Sequence, residues 1–190
     1  MRLSPLDRED LSTEQQAVLD AIEQGPRGAS NPGIGMIGPF GCWVRAPKVG
    51  HAVQALGEAI RFDGSLPENI KEVAICTVGI HYRSKFEFSA HRRLALKAGV
   101  AEAALDQMVA GESPDLARDE LLSFTIASQL VNQHDILDGT YALGVDAFGE
   151  EGMIELVATI GYYCLISTTL NAFKIPLADG MRDPFPEDET

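Results

Sequence analysis

The segment from Leu66 to Val100, LPENIKEVAICTVGIHYRSKFEFSAHRRLALKAGV, restricts the possible folds more than any other part of the chain. It reads as two consecutive helices that meet at a short junction, Tyr82, Arg83 and Ser84. The first opens at a Ser65, Pro67, Glu68 start signal and runs through an almost unbroken apolar core from Val73 to Ile80. The second opens at Ser84, with Glu87 three residues on, and stops at Gly99. Along it Glu87, His91, Leu94 and Ala98 follow steps of four, three and four, so they share one stripe. That stripe is ionisable near the junction and apolar at its far end, which turns His91 inward. In the first helix Glu72 shares a face with Ile75, Cys76 and Gly79. A buried carboxylate is costly unless it is paired or protonated, so Glu72 needs a partner. Two antiparallel neighbouring helices would make His91 that partner.

The rest of the chain also reads as helical. Leu11 to Gln24 forms a first helix capped by Ser12 or Thr13 and closed by Gly25. GPRGASNPGIGMIGPFGCWVRAPKVG follows and is expected to be a long irregular loop, with an apolar tip at Phe40 and Trp43. Further helices are expected from about Val49 to Phe62, from Ala101 to Ala110, from Pro114 to near Gln133, from Asp138 to Phe148, and from about Glu150 through IELVATIGYYCLISTTLNAF. The Gly, Thr, Ser and Asn residues of the last helix suit a packed interior better than a membrane span. No segment alternates like a strand between hairpin turns, so the fold class is all-α with two central buried helices. The expectation is one domain over 1–190, with an N-terminal helix and loop in 1–45 and an acidic tail, loose or draped on a partner, in 176–190.

At 190 residues the chain has room for one good core. A net charge of −13 argues against nucleic-acid or anionic-membrane partners, which need a basic face. The start MRLSPLDRED lacks the apolar core of a signal peptide, and a cytoplasmic location is expected. Cys42, Cys76 and Cys164 form no CxxC pair and have no zinc-knuckle spacing. Cys76 and Cys164 read as core packing, whereas the loop around Cys42 leaves its exposure open. The glycine-rich stretch is not a phosphate loop, since no Lys-Ser or Lys-Thr follows it.

Taken alone, the central residues allow more than one role. Ser84 with Glu87 has the spacing of a capping box, and Glu87 with His91 is an i, i+4 pair that can simply stabilise a helix. Glu72 can equally satisfy a backbone or arginine partner. Glu72, Glu87 and His91 together would also make a two-carboxylate, one-histidine metal set.

The phrases GPF…RAPK, LPENIKEVAI, FEFSAHRRLALKAG and YYCLISTTLNAFKIP together resemble the carboxymuconolactone decarboxylase family, which shares its fold with alkylhydroperoxidase D. The most diagnostic part is Glu72 followed by Phe86-Glu87-Phe88-Ser89-Ala90-His91. In the peroxidase branch a CxxC pair stands between the glutamate and the histidine, and here those two positions hold Ser84 and Glu87. A disulfide-cycling peroxidase needs a low-pKa thiolate and a resolving thiol, so the resemblance points to the branch without them. It implies a cofactor-free lyase or isomerase, with no required metal, acting by proton transfer on a small anionic carboxylated lactone or ring compound, as in the degradation of aromatic compounds. It also implies a homo-oligomer, a trimer or hexamer. In that reading His91 is the general acid/base, Glu72 orients it and Glu87 is a second proton carrier. Ser84, Arg83, Tyr82 and His81, with Lys85 beside them, neighbour the substrate, and Phe40 and Trp43 close an apolar wall. The alternatives are a peroxide-reducing enzyme that uses another thiol, such as Cys42, and a non-catalytic protein that binds a small ligand.

Overall fold

The structure is a computed structural model that describes residues 1–186, all helical elements and connections with no strand among them. The chain divides into two compact units, Met1–Gly64 with Thr169–Asp179, and Ser65–Thr168 with the segment from Gly180 onward.

In the first unit, α1 (Thr13–Gln24) starts at a complete capping box. The Gln15 amide donates to Ser12 Oγ, and the Ser12 amide donates to Gln15 Oε1, which satisfies two orphan donors at once. Val18, Leu19 and Ile22 on α1 pack with Val44 and are fully buried. The expected Gly/Pro loop is instead a run of short helices, α2 (Pro26–Ser30), a 3-10 turn at Ile34–Met36 and α3 (Phe40–Arg45), leading into the expected helix, α4 (Pro47–Glu58). Prolines start the helices here instead of breaking them, with Pro26 and Pro47 in the first turns of α2 and α4. Gly50 is required by packing, since a Cβ there would sit 2.3 Å from the Trp43 carbonyl oxygen. Cys42, whose exposure the sequence left open, is buried with Trp43 on α3. A π-helical turn at Ala59–Asp63 ends the α4 segment, and the Arg27 guanidinium lies 5.6 Å from the Phe40 ring centre and 5.7 Å from that of Phe62.

The second unit is built on α5 (Glu68–His81) and α6 (Lys85–Lys97), followed by α7 (Glu102–Ala110), α8 (Arg118–Gln133) and α9 (Asp138–Ala172), whose residues through Thr168 belong here. Every residue of α5 from Ile70 to Gly79 is buried. Its entry is fixed by the Glu155 carboxylate, which accepts from the backbone N–H groups of Ser65 at 2.9 Å and Leu66 at 3.2 Å. Helix α8 begins at Arg118 and not at Pro114, where Glu120 reaches back to accept from the Ala117 N–H at 3.2 Å. The two expected C-terminal helices follow one another with a break at Gly149, whose φ of 71° no helix can hold. By length and composition α9 could cross a membrane, and half of its most apolar window is buried within the structure.

The acidic tail, expected to be loose or draped on a partner, meets the core of the second unit at Phe185. Phe185 is buried with Phe88, Val73, Cys76, Ala95, Val100, Leu105 and Met108. Burying a phenylalanine contributes about 1.5–3 kcal/mol toward holding this short segment. Residues 187–190 of the expected tail lie outside the described residues.

Candidate active site

Helices α5 and α6 come together most closely at Gly79. A Cβ on Gly79 would lie 3.2 Å from the Phe88 nitrogen and 3.3 Å from its Cα, so the helices touch backbone to backbone there. The Ser84 N–H donates to the Gly79 carbonyl at 2.8 Å and closes the junction, where Arg83 takes the left-handed conformation at φ 47°. The result is a tight helical hairpin whose facing side chains meet inside.

His91 meets two carboxylates there. Its Nδ1 lies 2.7 Å from Glu72 Oε2, in hydrogen-bond geometry, and its Nε2 lies 3.0 Å from Glu87 Oε1. The second is an ion-pair contact, and Glu87 Oε1 has no well-aligned hydrogen-bond donor. Glu72 is 0 % exposed, Glu87 3 % and His91 9 %. Burial opposes the imidazolium, but Glu72 and Glu87 outweigh it and push His91 up to about 9. At neutral pH His91 is therefore a cation that donates through Nδ1 to Glu72. The Tyr163 ring of α9 stands edge-on to the imidazole at 4.9 Å, with Tyr162 edge-on to Tyr163 at 5.2 Å.

Ser84 is fully buried at the start of α6, yet its hydroxyl caps nothing and has no hydrogen-bond partner. The capping box that the spacing allows is therefore not formed, and the Ser84 N–H that it would use donates to the Gly79 carbonyl instead. Lys85 Nζ pairs with Asp183 Oδ2 at 2.6 Å, and the Arg83 guanidinium lies 4.9 Å from the Phe185 ring centre, so both cations engage the tail. Tyr82 hydrogen-bonds the Cys164 thiol of α9, and burial pushes both groups up. His81 is exposed, with Nδ1 3.2 Å from Asn132 Oδ1 of α8. Phe40 and Trp43 belong to the first unit. Phe40 packs on the Val18, Leu19, Ile22 and Val44 core, and Trp43 is buried with its indole nitrogen unpartnered.

Burial raises the Cys42 and Cys76 thiols as well, and Glu72 and Glu87 push Cys76 further up. Both imidazole nitrogens already face carboxylates, and among the described residues no group of His, Cys, Asp or Glu side chains has metal-holding geometry. A separate cleft of about 510 Å³ opens on the second unit between Leu66, Asn69, Arg118, Glu120 and Phe148, and none of the central trio lines it. Sequence reasoning missed Tyr163 and Phe185, since nothing local in YYCLIS or RDPFP says which distant ring each will meet. No family model, curated protein or solved structure matches this chain, and the reading of its chemistry rests on the Glu72–His91–Glu87 geometry.

Proposed function

We propose that this chain is a cofactor-free lyase or isomerase of the carboxymuconolactone decarboxylase family, with an alkylhydroperoxidase D-like fold, acting by proton transfer on a small carboxylated lactone or ring compound. The observation that carries the reading is the buried 2.7 Å contact between Glu72 and His91, closed on the other nitrogen by Glu87. An imidazolium held between two carboxylates is charged before substrate arrives, so His91 enters as a general acid. When CO2 leaves a conjugated carbonyl acid, the bonding electrons pass into the carbonyl system and a proton must reach carbon. His91 supplies that proton, Glu72 fixes the ring and stabilises its charge, and Glu87 returns a proton from water to restore the imidazolium.

Thiol chemistry is the weaker reading because Cys42, Cys76 and Cys164 are all shifted away from the thiolate that a peroxidase needs. The proposed assembly is a homotrimer or homohexamer. Ile154, Val157 and Leu165 support it, as apolar residues exposed along α9 at steps of three and eight.

The test is CO2 release from a panel of unsaturated lactone acids and β-keto acids. His91→Gln should lower turnover by about 10²–10⁴-fold, the usual contribution of a positioned acid, with an unchanged helical circular-dichroism spectrum. A variant with all three cysteines changed to serine should keep its activity. Full activity in His91→Gln, or saturable binding of every panel member without turnover, would overturn the reading.

A further inference from the structure

Ser84, Glu87 and His91 are spaced three and four apart, so all three lie on one face of α6. Two atoms on that face have unmet hydrogen-bonding capacity although they are sealed from solvent, Ser84 Oγ and Glu87 Oε1. A capping box would engage both, but the Ser84 N–H is bonded to the Gly79 carbonyl and α6 starts without any side-chain cap. The 13-residue helix thus presents an uncapped N-terminal turn, one hydroxyl able to donate or accept, and one carboxylate oxygen able only to accept.

Hydrogen-bonding capacity narrows what fits there. Glu87 Oε1 can only accept, whereas Ser84 Oγ can donate or accept. An anionic oxygen has no proton to offer Glu87, whereas a neutral oxygen carrying a proton satisfies both unmet atoms. Arg83 and Lys85, beside the start of α6, engage Phe185 and Asp183 of the tail.

Resting on the acid/base reading above, we propose that the first turn of α6 is a subsite for a neutral, protic oxygen of the substrate, an enol or hydroxyl group that accepts from Ser84 Oγ and donates to Glu87 Oε1. The substrate's carboxylate is then held away from this turn. The subsite selects enolisable carbonyl compounds, because the oxygen that Ser84 holds as a carbonyl becomes, in the enol, the donor that Glu87 lacks.

The probe is 4-nitrophenol, an enol mimic whose absorbance distinguishes phenol from phenolate, with benzoate as the anionic comparator. The full chain should bind 4-nitrophenol in its neutral form, and more tightly than benzoate. Ser84→Ala should weaken that binding by about tenfold, the worth of one hydrogen bond. Glu87→Gln removes the charge but not the acceptor, and should shift ionisation of the bound dye to lower pH while binding persists. Dye bound as phenolate, tighter benzoate, wild-type affinity in Ser84→Ala, or no binding to the folded chain would each overturn the subsite. The two readings fail separately. Ser84-dependent dye binding without turnover of any acid in the panel defeats the lyase and leaves the subsite standing. His91-dependent turnover with dye binding indifferent to Ser84 does the reverse.

Discussion

His91 and Arg92 are neighbours on α6, and each is a cation held by two carboxylates. Arg92 reaches Glu102 Oε1 at 3.0 Å and Asp106 Oδ1 at 2.8 Å, distances like those His91 makes to Glu87 and Glu72. The partners of Arg92 are 68 % and 64 % exposed, while those of His91 are sealed. Water screens the outer cluster, and such a pair stabilises by about 0–1 kcal/mol. The inner cluster has no such screening, so its charges must be matched by each other. The comparison teaches that geometry alone does not make a reactive site. The same constellation one residue apart is a solvent-screened clasp on one face of the helix and a sealed charge cluster on the other.

The largest effect should come from removing a carboxylate of the inner cluster. Glu72→Ala leaves a buried imidazole without its aligned partner and should cost about 3–5 kcal/mol in urea unfolding, together with catalysis. A cost below 1 kcal/mol would put the inner cluster on a par with the outer one. Gly79→Ala comes next, at about 1–3 kcal/mol, because its methyl meets Phe88 backbone that cannot yield as a side chain would. The pH dependence separates the clusters further. His91 is raised from its ordinary value of 6.5 to about 9, so its stabilisation is complete below about 6.5 and lost as pH rises through about 9. Unfolding free energies at pH 6 and pH 10, with the imidazole followed by NMR, should show this loss in the wild type and not in His91→Gln. Arg92→Ala should have the smallest effect, below about 1 kcal/mol, unchanged across the same pH range and weakened by salt.

Local signals carried most of the second unit. The Ser65–Glu68 start, the junction at residues 82–84 and the stop at Gly99 all came from capping chemistry and periodicity, and they put Glu72 opposite His91. The break at Gly149 likewise falls between the two helices that the sequence separates. Composition misled where the elements are short. Between Gly25 and Gly50 helices of five and six residues follow one another, too brief for a 3.6-residue period to register above the Gly and Pro content. Ser84 failed for a different reason: its spacing to Glu87 suits a capping box, but the helix junction commits the Ser84 N–H to the Gly79 carbonyl. Phe185 and Tyr163 were illegible because a local window cannot choose a ring's long-range partner.

The contact at Gly79 also acts as a fulcrum. Glu72 stands seven residues back along α5, a lever arm of about 10 Å, while His91 sits one turn beyond the pivot on α6. At that radius a rocking of about 3° displaces the carboxylate by about 0.5 Å, roughly the whole tolerance of a preorganised site. The spacing of Glu72 from His91 is thus sensitive to a hydrogen atom at Gly79, where every other amino acid would put carbon.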